Sequence, residues 1–178
     1  MWFRQDLRLH DNTALKAALN NDQVIPLFIY DDLSSGQRQW GGASQLWLHR
    51  SLRKLDESLQ GRLLILCGNP LEILKEITQK HSVQAIHWNR LYDSESIQRD
   101  REIKECFREK GIDVQSHQDA VLWEPWTVLN QSKRPYRVFT PFYRKGCLSM
   151  PEPIQPDNED IRDGAFPHLD YDEKCSID

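Results

Sequence analysis

The chain has 178 residues, a hydrophobic share of 39%, a charged share of 28% and a formal net charge of −4. That size suits one domain burying roughly two-thirds of its unfolded surface. The acidic balance argues against nucleic-acid binding by this chain alone, and no apolar run approaches the about 20 residues that span a membrane.

The amino terminus carries charges where a signal peptide needs an apolar run, so the cytoplasm is the expected compartment. Cys67, Cys106, Cys147 and Cys175 form no C-x-x-C pair, and the histidines form no ligand cluster. Free or buried thiols in a reducing compartment, and no metal, are the expectation.

Trp2 to Asn12 reads as the end of a buried strand, a tight charged turn and a helix cap supplied by Asp11 or Asn12. Leu7 and Leu9 pull that turn inward. Arg4 is then buried and needs an anionic partner, for which Asp6 is nearest in sequence. Thr13 to Asn20 forms a short helix. Val24 to Tyr30 is an almost continuous apolar run, as a parallel strand covered on both faces requires. Asp31 to Gly42 is a loop. Ala43 to Leu59 is a helix, with Leu48, Leu52, Leu55 and Leu59 on one face and Gly61 as its stop.

Leu63 to Cys67 is a strand. Asn69 caps a helix that has Pro70 at its first position and runs to about His81. Ala85 to Asn89 is a strand, Ser94 to Lys110 a helix ended by Gly111, and Ile112 to Gln115 a last strand. The alternation implies an α/β fold: a doubly wound, Rossmann-like, five-stranded parallel sheet with helices on both faces and strand order 3-2-1-4-5. Beyond Ala120, Val121 to Trp126 and Tyr136 to Tyr143 read as an extended wrap over the sheet. Pro151 to Asp178 has linker composition.

Ligands of such sheets bind beyond the carboxyl ends of the strands, where the order reverses, here between strands one and four. Trp2 to Arg4, Tyr30, Asp31 and Trp88 to Asp93 converge there, a set of aromatic faces, amides and charges that suits a flat heteroaromatic ligand. The first turn contains no glycine, which excludes a dinucleotide pyrophosphate in the usual position. The chain contains no P-loop, no G-x-S-x-G, no H-E-x-x-H and no catalytic constellation.

The opening W-F-R-x-D-L-R-L-x-D-N resembles the signature of the DNA photolyase/cryptochrome family. Trp88-Asn89-Arg90-x-Tyr92-Asp93 with Arg99-Asp100 is similar to that family's fourth-strand loop, and Tyr136-x-Val138-Phe139-Thr140-Pro141-Phe142 to its Y-x-V-F-T-P-F segment. The helix around Gly42 to Leu48 also resembles the family. The likeness spans Trp2 to Tyr143, and the family's first strand has a few more apolar residues than the single Met1 found here.

The resemblance implies an antenna domain over residues 1–145 and, over 146–178, a linker toward a helical FAD domain. It implies light-driven repair of cyclobutane pyrimidine dimers in the whole protein, with DNA contacted only through the helical domain. This domain would pass excitation energy from an antenna pigment to FAD. The pigment would be a reduced folate such as methenyltetrahydrofolate, an 8-hydroxy-5-deazaflavin, or FMN. Carried over by position, Phe3, Arg4, Ile29, Tyr30, Asp31, Ser44, Leu48, Asn89, Arg90, Tyr92 and Asp93 would line it, and no residue would be catalytic. A folate-type Asn-Glu pair would fall on Glu95-Ser96, and a deazaflavin-type Pro-Tyr-Gly on Ser94-Glu95-Ser96, so both are replaced. The W-N-R-x-Y-D form leans to folate. The same domain in a sensory cryptochrome, and a stand-alone α/β binding module, are the alternatives.

Overall fold

Strand and helix alternate from Trp2 to His117 in the computed structural model, which describes residues 1–20, 23–31, 41–156 and 166–169. The elements are β1 (Trp2–Phe3), α1 (Thr13–Leu19), β2 (Leu27–Tyr30), α2 (Gly42–Ser58), β3 (Leu64–Cys67), α3 (Pro70–Lys80), β4 (Ala85–Asn89), α4 (Ser94–Glu109) and β5 (Asp113–His117). The helix boundaries follow local chemistry. Asn12 accepts from Leu15 N–H at the start of α1, and Asn69 accepts from Leu71 and Glu72 N–H ahead of Pro70. Gly61 and Gly111, at φ +76° and +71°, supply the left-handed residue just past α2 and α4. Most of the expected loop at 31–42 lies outside the described residues.

All strand pairs are parallel, but the expected single five-stranded sheet divides in two. β1-β2-β3 form one ladder and β4-β5 another. Only Trp2 and Phe3 are extended before the chain turns at Arg4, so β1 has enough backbone for β2 but makes no ladder with β4. Side chains hold the two ladders together instead.

Both faces are covered, because neighbouring strand residues point to opposite sides. Phe3, Phe28 and Ile65 pack under α1 and α2 with Leu15, Leu48, Leu52, Leu55 and Leu59. Trp2, Leu27, Ile29, Leu64 and Leu66 pack under α3 and α4 with Leu74, Ile77, Ile103 and Phe107.

Two further expectations change. Tyr136 to Tyr143 is not an extended wrap. Past Val138 it coils into short helical turns, Phe139–Pro141, Phe142–Gly146 and Cys147–Ser149, with Phe139 73% and Tyr143 47% exposed. Cys67 is not a free thiol. It stands exposed at the end of β3 and is disulfide-bonded, whereas Cys106 and Cys147 are free. Much of the stretch 146–178 is likewise outside the described residues. Within it Ile154 is 85% exposed, while Phe166 is buried against the α1/α2 core. No described helix is long and apolar enough to cross a membrane.

Candidate functional site

The site begins where β1 ends. Arg4 is 7% exposed, and its guanidinium forks onto the Asp100 carboxylate of α4 at 2.8 and 3.0 Å. It also donates to the Asn89 carbonyl at the end of β4. Burial pulls the Arg4 pKa below its ordinary value, and the Asp100 charge opposes that pull. The expected Arg4–Asp6 pair does not form. Two residues on in a tight turn, Asp6 meets the Arg4 backbone N–H at 2.7 Å rather than the guanidinium, as an Asx-turn does.

Asn89 ties the other side of the seam. Its amide donates to Asp6 Oδ2 at 2.6 Å and to Asn12 Oδ1 at 2.8 Å, and its oxygen accepts from Ala14 N–H at 3.1 Å. One 3% exposed side chain therefore holds the first turn and the start of α1 against β4.

Two indoles flank this polar knot. Trp2 and Trp88 meet edge to face at 5.6 Å, and Trp88 Nε1 donates to Asp100 Oδ2 at 2.9 Å. The Arg4 guanidinium lies 5.1 Å from the Trp2 ring and 5.8 Å from that of Trp88. Arg99 lies 5.2 Å from the Trp2 ring and 3.9 Å from the Asp31 carboxylate at the end of β2. The Trp2 Nε1–H and Arg99 Nε are buried without a hydrogen-bond partner among the described residues.

A second cluster lies along the loop after β4. Arg90 bonds to Ser116 O at 2.6 Å and Ser116 Oγ at 3.1 Å, and pairs with the buried Glu124. Its guanidinium lies 5.9 Å from the Trp126 ring, which tilts against Tyr92 at 6.1 Å. Burial, with the Glu124 carboxylate beside it, pushes the Tyr92 hydroxyl up to about 12, although no hydrogen bond closes on that oxygen. Asp93 caps α4 through Ser96 N–H at 2.8 Å. Burial alone would raise its carboxyl; the hydrogen bonds from Ser96 and the Arg99 charge outweigh this and hold it low.

The eleven expected lining residues thus divide by role. Arg4 and Asn89 meet in the buried knot, and Asp31 faces Arg99 at 3.9 Å. Arg90 and Tyr92 form the neighbouring cluster, and Asp93 is a helix cap. Tyr30 is half-buried against the α1/α2 core, and Ser44 is exposed in the first turn of α2. Phe3, Ile29 and Leu48 are core residues. Asp100, Arg99 and Glu124 complete the network and were absent from the expected set. Asp100 had a readable signal: it falls on the inward stripe Ser96, Asp100, Ile103, Phe107 of α4, where a carboxylate needs a buried cation.

Residues 1–159 match the family described as DNA photolyase. The chain is 40% identical over 148 residues to the deoxyribodipyrimidine photo-lyase of Agrobacterium fabrum, covering 81% of this chain and 30% of that protein. It is 36% identical over 154 residues to Cryptochrome-2 of Arabidopsis thaliana, covering 84% of this chain and 25% of that one. Among solved structures, a bacterial class III photolyase from Agrobacterium tumefaciens superposes with a TM-score of 0.81 at 37% identity, covering 88% of this chain and 33% of that one. An archaeal photolyase from Sulfolobus tokodaii, solved with two FAD molecules, superposes at 0.77 and 28% identity, covering 99% of this chain and 39% of that one. The chain therefore spans about a quarter to two-fifths of the length of these relatives.

Proposed function

The chain belongs to the DNA photolyase family, and on that premise we propose that it is the light-harvesting α/β domain of a deoxyribodipyrimidine photolyase, binding an antenna pigment in the crevice beside Trp2. The observation that carries this reading is the Trp2 indole. It is buried in β1 on the α3/α4 face, its N–H has no acceptor among the described residues, and Arg99 stands 5.2 Å from its ring with Asp31 beyond. An acceptor-rich heteroaromatic ring fits such a donor and cation.

The pigment, when bound, supplies the near-ultraviolet or blue absorption. The chain positions it: Tyr30 offers a face, Arg99 and Asp31 polar ends, and the Arg4–Asp100–Asn89 knot keeps the walls rigid. None of these side chains acts as acid, base or nucleophile. Methenyltetrahydrofolate, 8-hydroxy-5-deazaflavin and FMN are the candidate classes, folate first. Domain limits of 1–145 for the antenna unit and 146–178 for a linker belong to this reading, as does a cytoplasmic location.

Excitation would pass to FAD in a helical domain of a longer chain, which would also contact DNA. The exposed apolar run Val138, Phe139, Phe142, Tyr143 and Leu148 supports such a docking partner. Phe139 and Tyr143 stack at 5.9 Å with 6° between planes, and they form a large patch for an isolated domain to leave in water. The likeness to Cryptochrome-2 favours a second reading, in which the same domain serves a sensory protein.

The test is titration of the purified chain with each pigment, followed by absorption and fluorescence. A shifted band for one pigment, weakened about tenfold by Asp31→Ala or Tyr30→Ala with the fold intact, supports the crevice. Unchanged affinity in both variants removes it.

A further inference from the structure

Lys104 on α4 is a half-buried cation that leans on a hydroxyl instead of a carboxylate. Its ammonium donates to Ser116 Oγ on β5 at 2.6 Å, and its Nζ lies 5.8 Å from the Trp88 ring. Asp100, one turn earlier on α4, is taken up by Arg4 and by the Trp88 indole. The other cations of this face have their carboxylates: Arg4 has Asp100, Arg90 has Glu124 and Arg99 has Asp31.

Ser116 draws a second cation to the same spot. Arg90 Nε–H donates to Ser116 Oγ at 3.1 Å, and its Nη2 donates to the Ser116 carbonyl at 2.6 Å. Cationic donors therefore fill both lone pairs of the hydroxyl oxygen, and its own proton is left to donate outward. Two ammonium protons of Lys104 and two guanidinium protons of Arg90 are also left over. The field is positive here. Burial, then the Arg90 charge, lowers the Lys104 pKa; Asp100 opposes this, and Arg108, one turn further on α4, adds to it. Burial, then Arg90 and Lys104, lowers that of His117. The group is open to solvent: β5 pairs with β4 alone, and the Arg90 side chain is 33% exposed.

We propose that Lys104, Ser116 and Arg90 form a binding site for a phosphate group, free or as a monoester, at the β5 edge of the sheet. An ammonium, a hydroxyl and a guanidinium from three elements offer donors from three directions, which suits a tetrahedral oxyanion better than a flat carboxylate. Glu124 already balances Arg90, so Lys104 and Arg108 supply the charge that a dianion answers. The inference is independent of the pigment reading, because Asp31 and Arg99 meet at the end of β2 whereas Lys104 meets β5.

The test titrates the purified chain with potassium phosphate and, separately, with adenosine 5′-monophosphate. Chloride holds the ionic strength constant, and amide chemical shifts report binding. Saturable shifts centred on Lys104 and Ser116 are expected, with a Kd of about 1 mM. Lys104→Met keeps the stem over the Trp88 ring and should weaken binding about tenfold, while Lys104→Arg should retain most of it. Tighter binding of the monoester would assign the site to an ester, and equal binding to the free ion; both support the proposal. No saturable shift with either probe, shifts centred away from Lys104 and Ser116, or unchanged affinity in Lys104→Met overturns it.

Discussion

The seam between β1 and β4 is closed at one end and open at the other. At the carboxyl end, Arg4, Asp6, Asn89 and Asp100 form a buried polar knot. At the amino end the same two strands leave about 850 Å³ of cavity. No ladder hydrogen bond joins β1 to β4 at either end. Side-chain charges and amides can therefore substitute for a missing backbone ladder, but only where enough of them converge.

The largest effect should come from breaking the closed end. Arg4→Ala leaves Asp100 buried without its main cation and should cost about 3–5 kcal/mol in denaturant unfolding. A loss below about 1 kcal/mol would mean that the knot does not hold the seam. Next comes Asn89→Ala, which removes one donor from Asp6, strands the Ala14 N–H and should cost about 2 kcal/mol, read from the same curves. Trp88→Phe keeps the ring but removes one donor from Asp100, at about 1 kcal/mol.

The smallest effect concerns the open end, where His87 lines the cavity. His87 and His117 stack at 5.4 Å, with Nδ1 of one 3.2 Å from Nε2 of the other. Burial, then the His117 and amino-terminal charges, lowers the His87 pKa to about 4; burial, then Arg90 and Lys104, lowers that of His117. Asp113 is the opposing carboxylate. The unfolded chain then binds more protons than the folded one between about pH 6.5 and 4, so stability should fall as pH drops through that window. His87→Gln should flatten this slope, measured as Tm against pH. An unchanged slope would assign the loss to other groups.

What was legible in the sequence was mostly local. Leu48, Leu52, Leu55 and Leu59 display α2 through their spacing, and Asn69-Pro70 marks the start of α3 by chemistry within three residues. The meeting of Arg4 with Asn89 followed from where strands end. The partner of Arg4 did not. Asp100 is 96 residues away, and nearness along the chain pointed to Asp6. The split of the sheet was not legible either: β1 pairs with β2 alone, and β4 with β5. The Phe139 run was expected to cover the sheet because it is apolar, but both faces were already filled by α1 to α4.

The distances along the chain within the polar knot also set an order of assembly. Arg4 and Asp6 leave the ribosome early, whereas Asn89 and Asp100 follow 83 to 96 residues later. β1, β2 and β3 can pair before then, but the face carrying Trp2, Leu27 and Leu64 has only α3 over it until α4 arrives. The nascent domain therefore passes through a stage in which the second core is half covered and its first cations are still without their buried partners. That interval is the one in which apolar surface is exposed to non-native contacts.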